Sequence, residues 1–169
     1  MAHDKQRAPN FDLSSTEDVL LMLRDEVPRG PVVLYFFADP ASEATRSDLT
    51  ALAGRSEALE AVRARVLGVS PAKLPALKTV QRELGLPFPL LYDDRGFSAE
   101  YGVGKPEEGD APPALFVVGR DQTILWSANP LTGIEQALTE AERVLKPQPP
   151  TSAAYPRSVV NRLIDRFVS

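Results

Sequence analysis

The chain has 169 residues, 43% of them hydrophobic and 25% charged, which is enough for one compact domain and excludes wholesale disorder. It contains no cysteine and one histidine, His3, which excludes disulfides, thiolate metal centres, a thiol nucleophile and histidine-based triads. The net charge of −4, with no Lys/Arg run, excludes the basic face of a nucleic-acid binder.

Residues 1–10 are polar and lack the apolar core of a signal peptide. Asn10, Phe11, Asp12 and Leu13 form a short extended segment. Ser14, Ser15 and Thr16, followed by Glu17 and Asp18, place a hydroxyl three residues before a carboxylate and predict a helix start. Val19, Leu20, Leu23 and Val27 give that helix an apolar face, and Pro28, Gly30 and Pro31 end it. Residues 32–37, Val-Val-Leu-Tyr-Phe-Phe, are a β-branched and aromatic run, as in a central strand buried on both faces. With Ala38 they make the longest apolar stretch, far short of the ~20 residues of a membrane span. The expectation is a soluble cytoplasmic protein with no nucleic-acid or membrane partner.

A loop at 38–42 leads to a helix over 43–53, with Leu49 and Leu52 inward, an interruption at Gly54 and a continuation through Leu59 and Val62. Residues 65–69 are the next buried strand. Ser70 and Pro71 read as a helix cap and its first residue, with Leu74, Leu77, Val80 and Leu84 facing in and Gly85 as the stop. Residues 87–92 read as an extended or edge strand, because Pro87 and Pro89 cannot donate. A short helix over 97–101 ends at Gly102. Residues 114–118 and 123–127, joined by Gly119, Arg120, Asp121 and Gln122, form a hairpin. Thr132 and Glu135 predict a capping box for a helix through Leu145, with Ile134, Leu138, Ala141 and Leu145 apolar. The alternation gives an α/β fold with a mixed sheet.

The predicted organisation is a domain over residues 1–146, a proline-rich linker over 147–157 and a C-terminal helix over 158–169. In the last segment Val159, Val160, Leu163, Ile164, Phe167 and Val168 recur at helical spacing. So short an amphipathic helix is marginal alone in water, so it docks on its own domain or on a partner. Arg157, Arg162 and Arg166 are basic, but a lysine-rich membrane-binding face is missing.

Read in order, several of these segments resemble the peroxiredoxin family. Ala8-Pro9-Asn10-Phe11-Asp12-Leu13 is similar to its opening, and Gly30-Pro31-Val32-Val33-Leu34-Tyr35-Phe36-Phe37 to its central strand. Val66-Leu67-Gly68-Val69-Ser70-Pro71 resembles the following strand and turn. Gly85-Leu86-Pro87-Phe88-Pro89-Leu90-Leu91-Tyr92-Asp93-Asp94 and Ala99-Glu100-Tyr101-Gly102-Val103 resemble the next segments. Leu115-Phe116-Val117-Val118-Gly119-Arg120-Asp121-Gln122-Thr123-Ile124 resembles the late hairpin. The resemblance spans residues 8–145, is of the AhpC/TSA type and is nearest the bacterioferritin-comigratory subgroup. It implies a thioredoxin-like fold, a central mixed β-sheet flanked by helices, to which this chain adds the C-terminal amphipathic helix.

The family's chemistry is thiol-dependent peroxide reduction, in which a cysteine thiolate attacks the O–O bond. A threonine, an arginine and backbone amides at a helix N-terminus activate it. Its motif is Pro-x-x-x-Thr-x-x-Cys after the central strand. Here the loop is shorter, and alignment puts Ala38 at the proline, Asp39 at the threonine and Ser42 at the peroxidatic cysteine. Ser47 falls at the resolving position and Pro113 at the arginine. A thioredoxin-style alignment instead puts Ala41 and Ala44 where a Cys-x-x-Cys pair belongs, with the same outcome. A serine hydroxyl is a poor nucleophile without a base and cannot cycle through a sulfenic acid. Asp39 beside Ser42 reads as a helix cap rather than a hydrolytic dyad.

The resemblance therefore implies a degenerate member with no functional catalytic residue, no cofactor and no metal. Such a chain acts as a binding or regulatory module, as a homodimer through the C-terminal helix or a domain face, or with an unidentified protein partner. The alternative is an antioxidant oxidoreductase of the family whose cysteines were exchanged for serine at 42 and 47. Asp39 and Pro113 favour natural loss, since neither exchange traps an intermediate.

Other features read as structure. Glu107, Glu108 and Asp110 form a solvated acidic loop rather than a cation site, and Asp93 with Asp94 is turn chemistry. Met22 is packing, Trp126 a packing anchor, and Gly68 and Gly85 turn or helix-stop positions outside any phosphate loop. The helix N-terminus at Ser42 and Glu43 keeps a weak claim to an anion, since Glu43 satisfies those amides itself.

Overall fold

In the computed structural model residues 6–103 and 112–146 are described. The expected linker and C-terminal helix, His3 and the acidic residues Glu107, Glu108 and Asp110 lie outside them. A seven-stranded mixed sheet runs in the order β2-β1-β5-β4-β3-β6-β7. Its strands are β1 (Asp12–Ser15), β2 (Leu20–Met22), β3 (Val32–Phe36), β4 (Arg65–Ser70), β5 (Leu90–Tyr92), β6 (Ala114–Val118) and β7 (Ile124–Ala128). Strand β3 is parallel to β4 and antiparallel to β6, while β4 is parallel to β5. Every residue of β3 is buried, as its unbroken apolar run requires of a strand covered on both faces.

Alternate side chains of the central strands feed two cores. Val33, Tyr35, Val66, Leu115 and Val117 pack under α2 (Glu43–Gly54), α3 (Ser56–Ala61), α4 (Leu74–Leu84) and α6 (Ile134–Leu145). Val32, Leu34, Phe36, Leu67 and Phe116 face the other way, against Phe11, Leu13, Leu23 and Tyr101. Among the described residues, the second face is covered by the N-terminal segment, β2, the short α1 (Leu23–Glu26), α5 (Phe97–Glu100) and the stretch after it. The break at Gly54 and the inward Leu49 and Leu52 match the sequence reading.

Several sequence expectations are corrected. Residues 14–22 form a β-hairpin, not a helix: the Ser15 hydroxyl accepts from the N–H groups of Glu17 and Val19, at 3.2 and 3.4 Å, and Asp18 takes φ 62°. A hydroxyl that caps a helix can cap a turn equally well, so the local pattern served both. Val19 and Leu20 are accordingly 51% and 54% exposed rather than buried. Helix α4 starts three residues later than expected, with Lys73 at its cap and Pro75 in its first turn, while Ser70 closes β4. Strand β5 is not an edge but lies between β1 and β4, its prolines falling just before the paired residues. Helix α6 is capped at Gly133 without a side-chain bond, so the Thr132–Glu135 box does not form. Gly68 is mid-strand, not a turn: a Cβ there would stand 2.5 Å from the Leu90 side chain and 3.2 Å from Phe37. Gly85 is the left-handed helix stop expected, at φ 61°.

Candidate functional site

Parallel register brings strand ends to one edge of the sheet. Phe36 lies opposite Val69 and Ala114, and Ser70 opposite Tyr92. The loop after β3, the turn after β4, the loop after β5 and the approach to β6 therefore meet there. In α/β sheets this is the edge where ligands and reactive groups gather.

The loop from Ala38 to Ser42 is built by its own polar groups. One Asp39 carboxylate oxygen accepts the Ala41 N–H at 2.9 Å, and the Ser42 N–H donates to the Asp39 carbonyl at 3.2 Å. Ser42 has extended backbone, φ −63° and ψ 137°, and its hydroxyl oxygen accepts the Thr45 N–H at 3.3 Å. It is thus the N-cap of α2. Asp39 braces the turn before the helix rather than capping the helix, and the Ser42 hydroxyl takes the cap. Pro40 is buried, Ser42 half-buried and Asp39 exposed.

The structure brings Asp39 and Ser42 into one turn. Ser47 is exposed, more than a turn further along α2. Pro113 is half-buried just before β6, and its carbonyl accepts the Leu131 N–H at 2.7 Å.

Neighbouring polar groups are equally committed. The Ser70 hydroxyl donates to the Ala38 carbonyl at 3.3 Å and accepts from the Ala72 N–H at 3.1 Å. The Asp93 carboxylate, 3% exposed, accepts the N–H groups of Phe97 and Ser98 at 2.8 and 2.9 Å. That fixes the start of α5 and agrees with a turn role for Asp93. Between Phe37, Ala38, Ser70, Asp93, Ser98 and Val103 lies a cavity of about 20 Å³, room for a single water.

Beneath the first turns of α2, the buried Tyr35 hydroxyl donates to an Asp48 carboxylate oxygen at 2.8 Å. Burial pushes the Tyr35 phenol far up, and the Asp48 charge adds to this. Asp48 is also raised above its ordinary value, by burial, and the Tyr35 hydrogen bond only partly offsets it. Sequence reading missed this pair, although a tyrosine inside an otherwise apolar strand signals that its hydroxyl needs a partner. It missed the Ser70–Ala38 tie for a plainer reason: nothing local in the sequence links those residues.

Chemically the edge is quiet. Among the described residues every buried side-chain polar atom has a partner. None of His, Asp or Glu gathers there in threes as a metal cluster. No described helix is long and apolar enough to cross a membrane.

A model of the AhpC/TSA family matches residues 5–127. A chloroplastic 2-Cys peroxiredoxin BAS1 of Hordeum vulgare is 26% identical over 151 residues, covering 83% of this chain and 72% of its own length. The chain spans 57% of the longer proteins of that name from Spinacia oleracea and Arabidopsis thaliana. Among solved structures, the peroxidoxin BcpB of Mycobacterium tuberculosis superposes with a TM-score of 0.77 at 20% identity, over 83% of this chain and 94% of that one. The bacterioferritin comigratory protein of Xanthomonas campestris gives 0.71 at 16% identity, over 80% and 92%. These structures share the thioredoxin-like peroxiredoxin fold.

Proposed function

The chain belongs to the AhpC/TSA family, and from that premise we propose that it is a peroxiredoxin-like protein without thiol peroxidase activity, acting as a binding or regulatory module. One observation carries the reading: the family's reaction passes through a cysteine thiolate, and this chain has no cysteine. On this reading Ser42 stands at the peroxidatic position, Ser47 at the resolving one, Asp39 at that of the threonine and Pro113 at that of the arginine. The local chemistry supports the loss. The Ser42 hydroxyl oxygen is engaged as a helix cap, and Asp39 brings a negative charge to a place where a thiolate and a departing oxyanion would have to be stabilised. Pro113 brings neither charge nor N–H donor.

We place the protein in the cytoplasm as a homodimer, through a domain face or the C-terminal helix, or bound to a protein partner. A peroxide-consumption assay with a thioredoxin donor tests the central claim. Consumption at the rate of the donor system alone is expected, and turnover that scales with the chain overturns it. Sedimentation of the full chain across a dilution series tests the homodimer; a monomer at every concentration removes it.

A further inference from the structure

Among the described residues strand β7 is the last on its side of the sheet, and α6 follows it. Between them is an open groove of about 530 Å³. Its apolar lining is Trp126, Ala128, Leu131 and Ala137, and Glu135 and Glu140 are among its polar residues. Apolar surface gathered in a concavity favours an apolar occupant over water.

We propose that the occupant is the chain's own C-terminal segment, residues 158–169, lying in the β7–α6 groove as an amphipathic helix. Its apolar residues Val159, Val160, Leu163, Ile164, Phe167 and Val168 fall on one helical stripe, which needs a surface to cover it. Arg162 and Arg166 stand one turn apart beside that stripe. They meet the rim carboxylates Glu135 and Glu140, whose side chains are 68% and 44% exposed and which also pair with Arg55 and Arg143, at 3.0 Å each.

The length of the connection fits. Helix α6 has 12 residues, a rise of about 18 Å, and Lys146 leaves it with extended backbone. The proline-rich residues 147–157, at ~3.1 Å per residue when extended, reach about 30 Å. That suffices to return along α6 to the groove beside its first half. A tether of this length holds the helix at an effective concentration near the millimolar range, which favours its own groove over that of a second copy.

Trp126 is the only tryptophan in the chain, so its emission reports the groove directly. In the full chain, Leu163→Asp with Phe167→Asp is expected to shift the Trp126 emission to the red and to raise its quenching by acrylamide. Equal emission and quenching in the parent and the variant overturns the proposal.

The absence of native cysteine allows a second test that does not depend on that variant. Thr139→Cys is combined in turn with a cysteine at Val160, Leu163, Ile164 or Phe167, and the full chains are mildly oxidised. A disulfide within the monomer for at least one pair, seen as a faster-migrating single chain without reductant, is the expected result. Disulfide-linked dimers would assign the groove to a second copy and overturn it, as would the failure of every pair to bond.

Discussion

The turn from Ala38 to Ser42 and the groove between β7 and α6 are opposites in physical character. At the turn, the Asp39 carboxylate and the Ser42 and Ser70 hydroxyls each have an internal partner, and the space left beside them is about 20 Å³. At the groove, some 530 Å³ stands open over apolar side chains. The loop after the central strand is held by its own side chains, Asp39 bracing it and Ser42 capping α2. The chain's unsatisfied surface lies elsewhere. The contrast fixes where substitutions should hurt: at the turn they cost stability, at the groove they cost little.

The largest expected effect is at Gly68, which lets Leu90 and Phe37 close over the floor of the turn. Gly68→Ala forces a Cβ to within 2.5 Å of the buried Leu90 side chain, and overpacking of this kind costs about 1–3 kcal/mol. Urea unfolding monitored by circular dichroism gives the value. A loss under ~0.5 kcal/mol, the size of an ordinary surface change, would mean the edge is looser than its packing indicates.

A smaller loss is expected at Ser42. If its hydroxyl is a cap, Ser42→Ala costs about 1 kcal/mol, and Ser42→Gly only a few tenths. A Ser42→Ala chain as stable as the parent would leave the hydroxyl without a structural role and reopen the question of its chemistry. Ser47→Ala, on the exposed side of α2, and Thr139→Ala, at the groove, are expected to stay within ~0.5 kcal/mol of the parent. These two provide the control against which the Ser42 result is judged.

The unequal legibility of these regions has a physical origin. The central strands, the hairpin at the end and the helix faces bearing Leu49, Leu52, Leu77 and Leu138 were readable because burial imposes a period on the sequence. The missing thiol was readable because it is a matter of residue type, whereas the cap of α2 falls to Ser42 and not to Asp39, which closes its own turn instead. The β1–β2 hairpin was not: Ser15, Glu17 and Asp18 satisfy the rules of a helix start, and only the pairing of β1 with β5 decides for a strand. Neither Asp48 beneath Tyr35 nor the groove under Trp126 leaves a local pattern. Each arises when elements distant in sequence are packed together.

The finest test of the turn's structural role is the pair beneath it. Asp48 has its carboxyl raised above 3.8 by burial, so the folded chain holds that proton more tightly than the unfolded chain does. The sign follows: between the unfolded and folded values the native state binds more protons, stability falls as pH rises through that window, and above it the full penalty applies. Asp48→Asn removes the charge while its amide oxygen can still accept from the Tyr35 hydroxyl. The variant is therefore expected to melt slightly above the parent at neutral pH. The advantage should vanish below the ordinary carboxylate value of 3.8, where the parent's Asp48 is protonated in both states. Melting curves of both chains across that pH range measure it. A variant less stable than the parent at neutral pH would show that the Tyr35–Asp48 bond outweighs the cost of burying the charge, making this ion a stabilising element beneath α2.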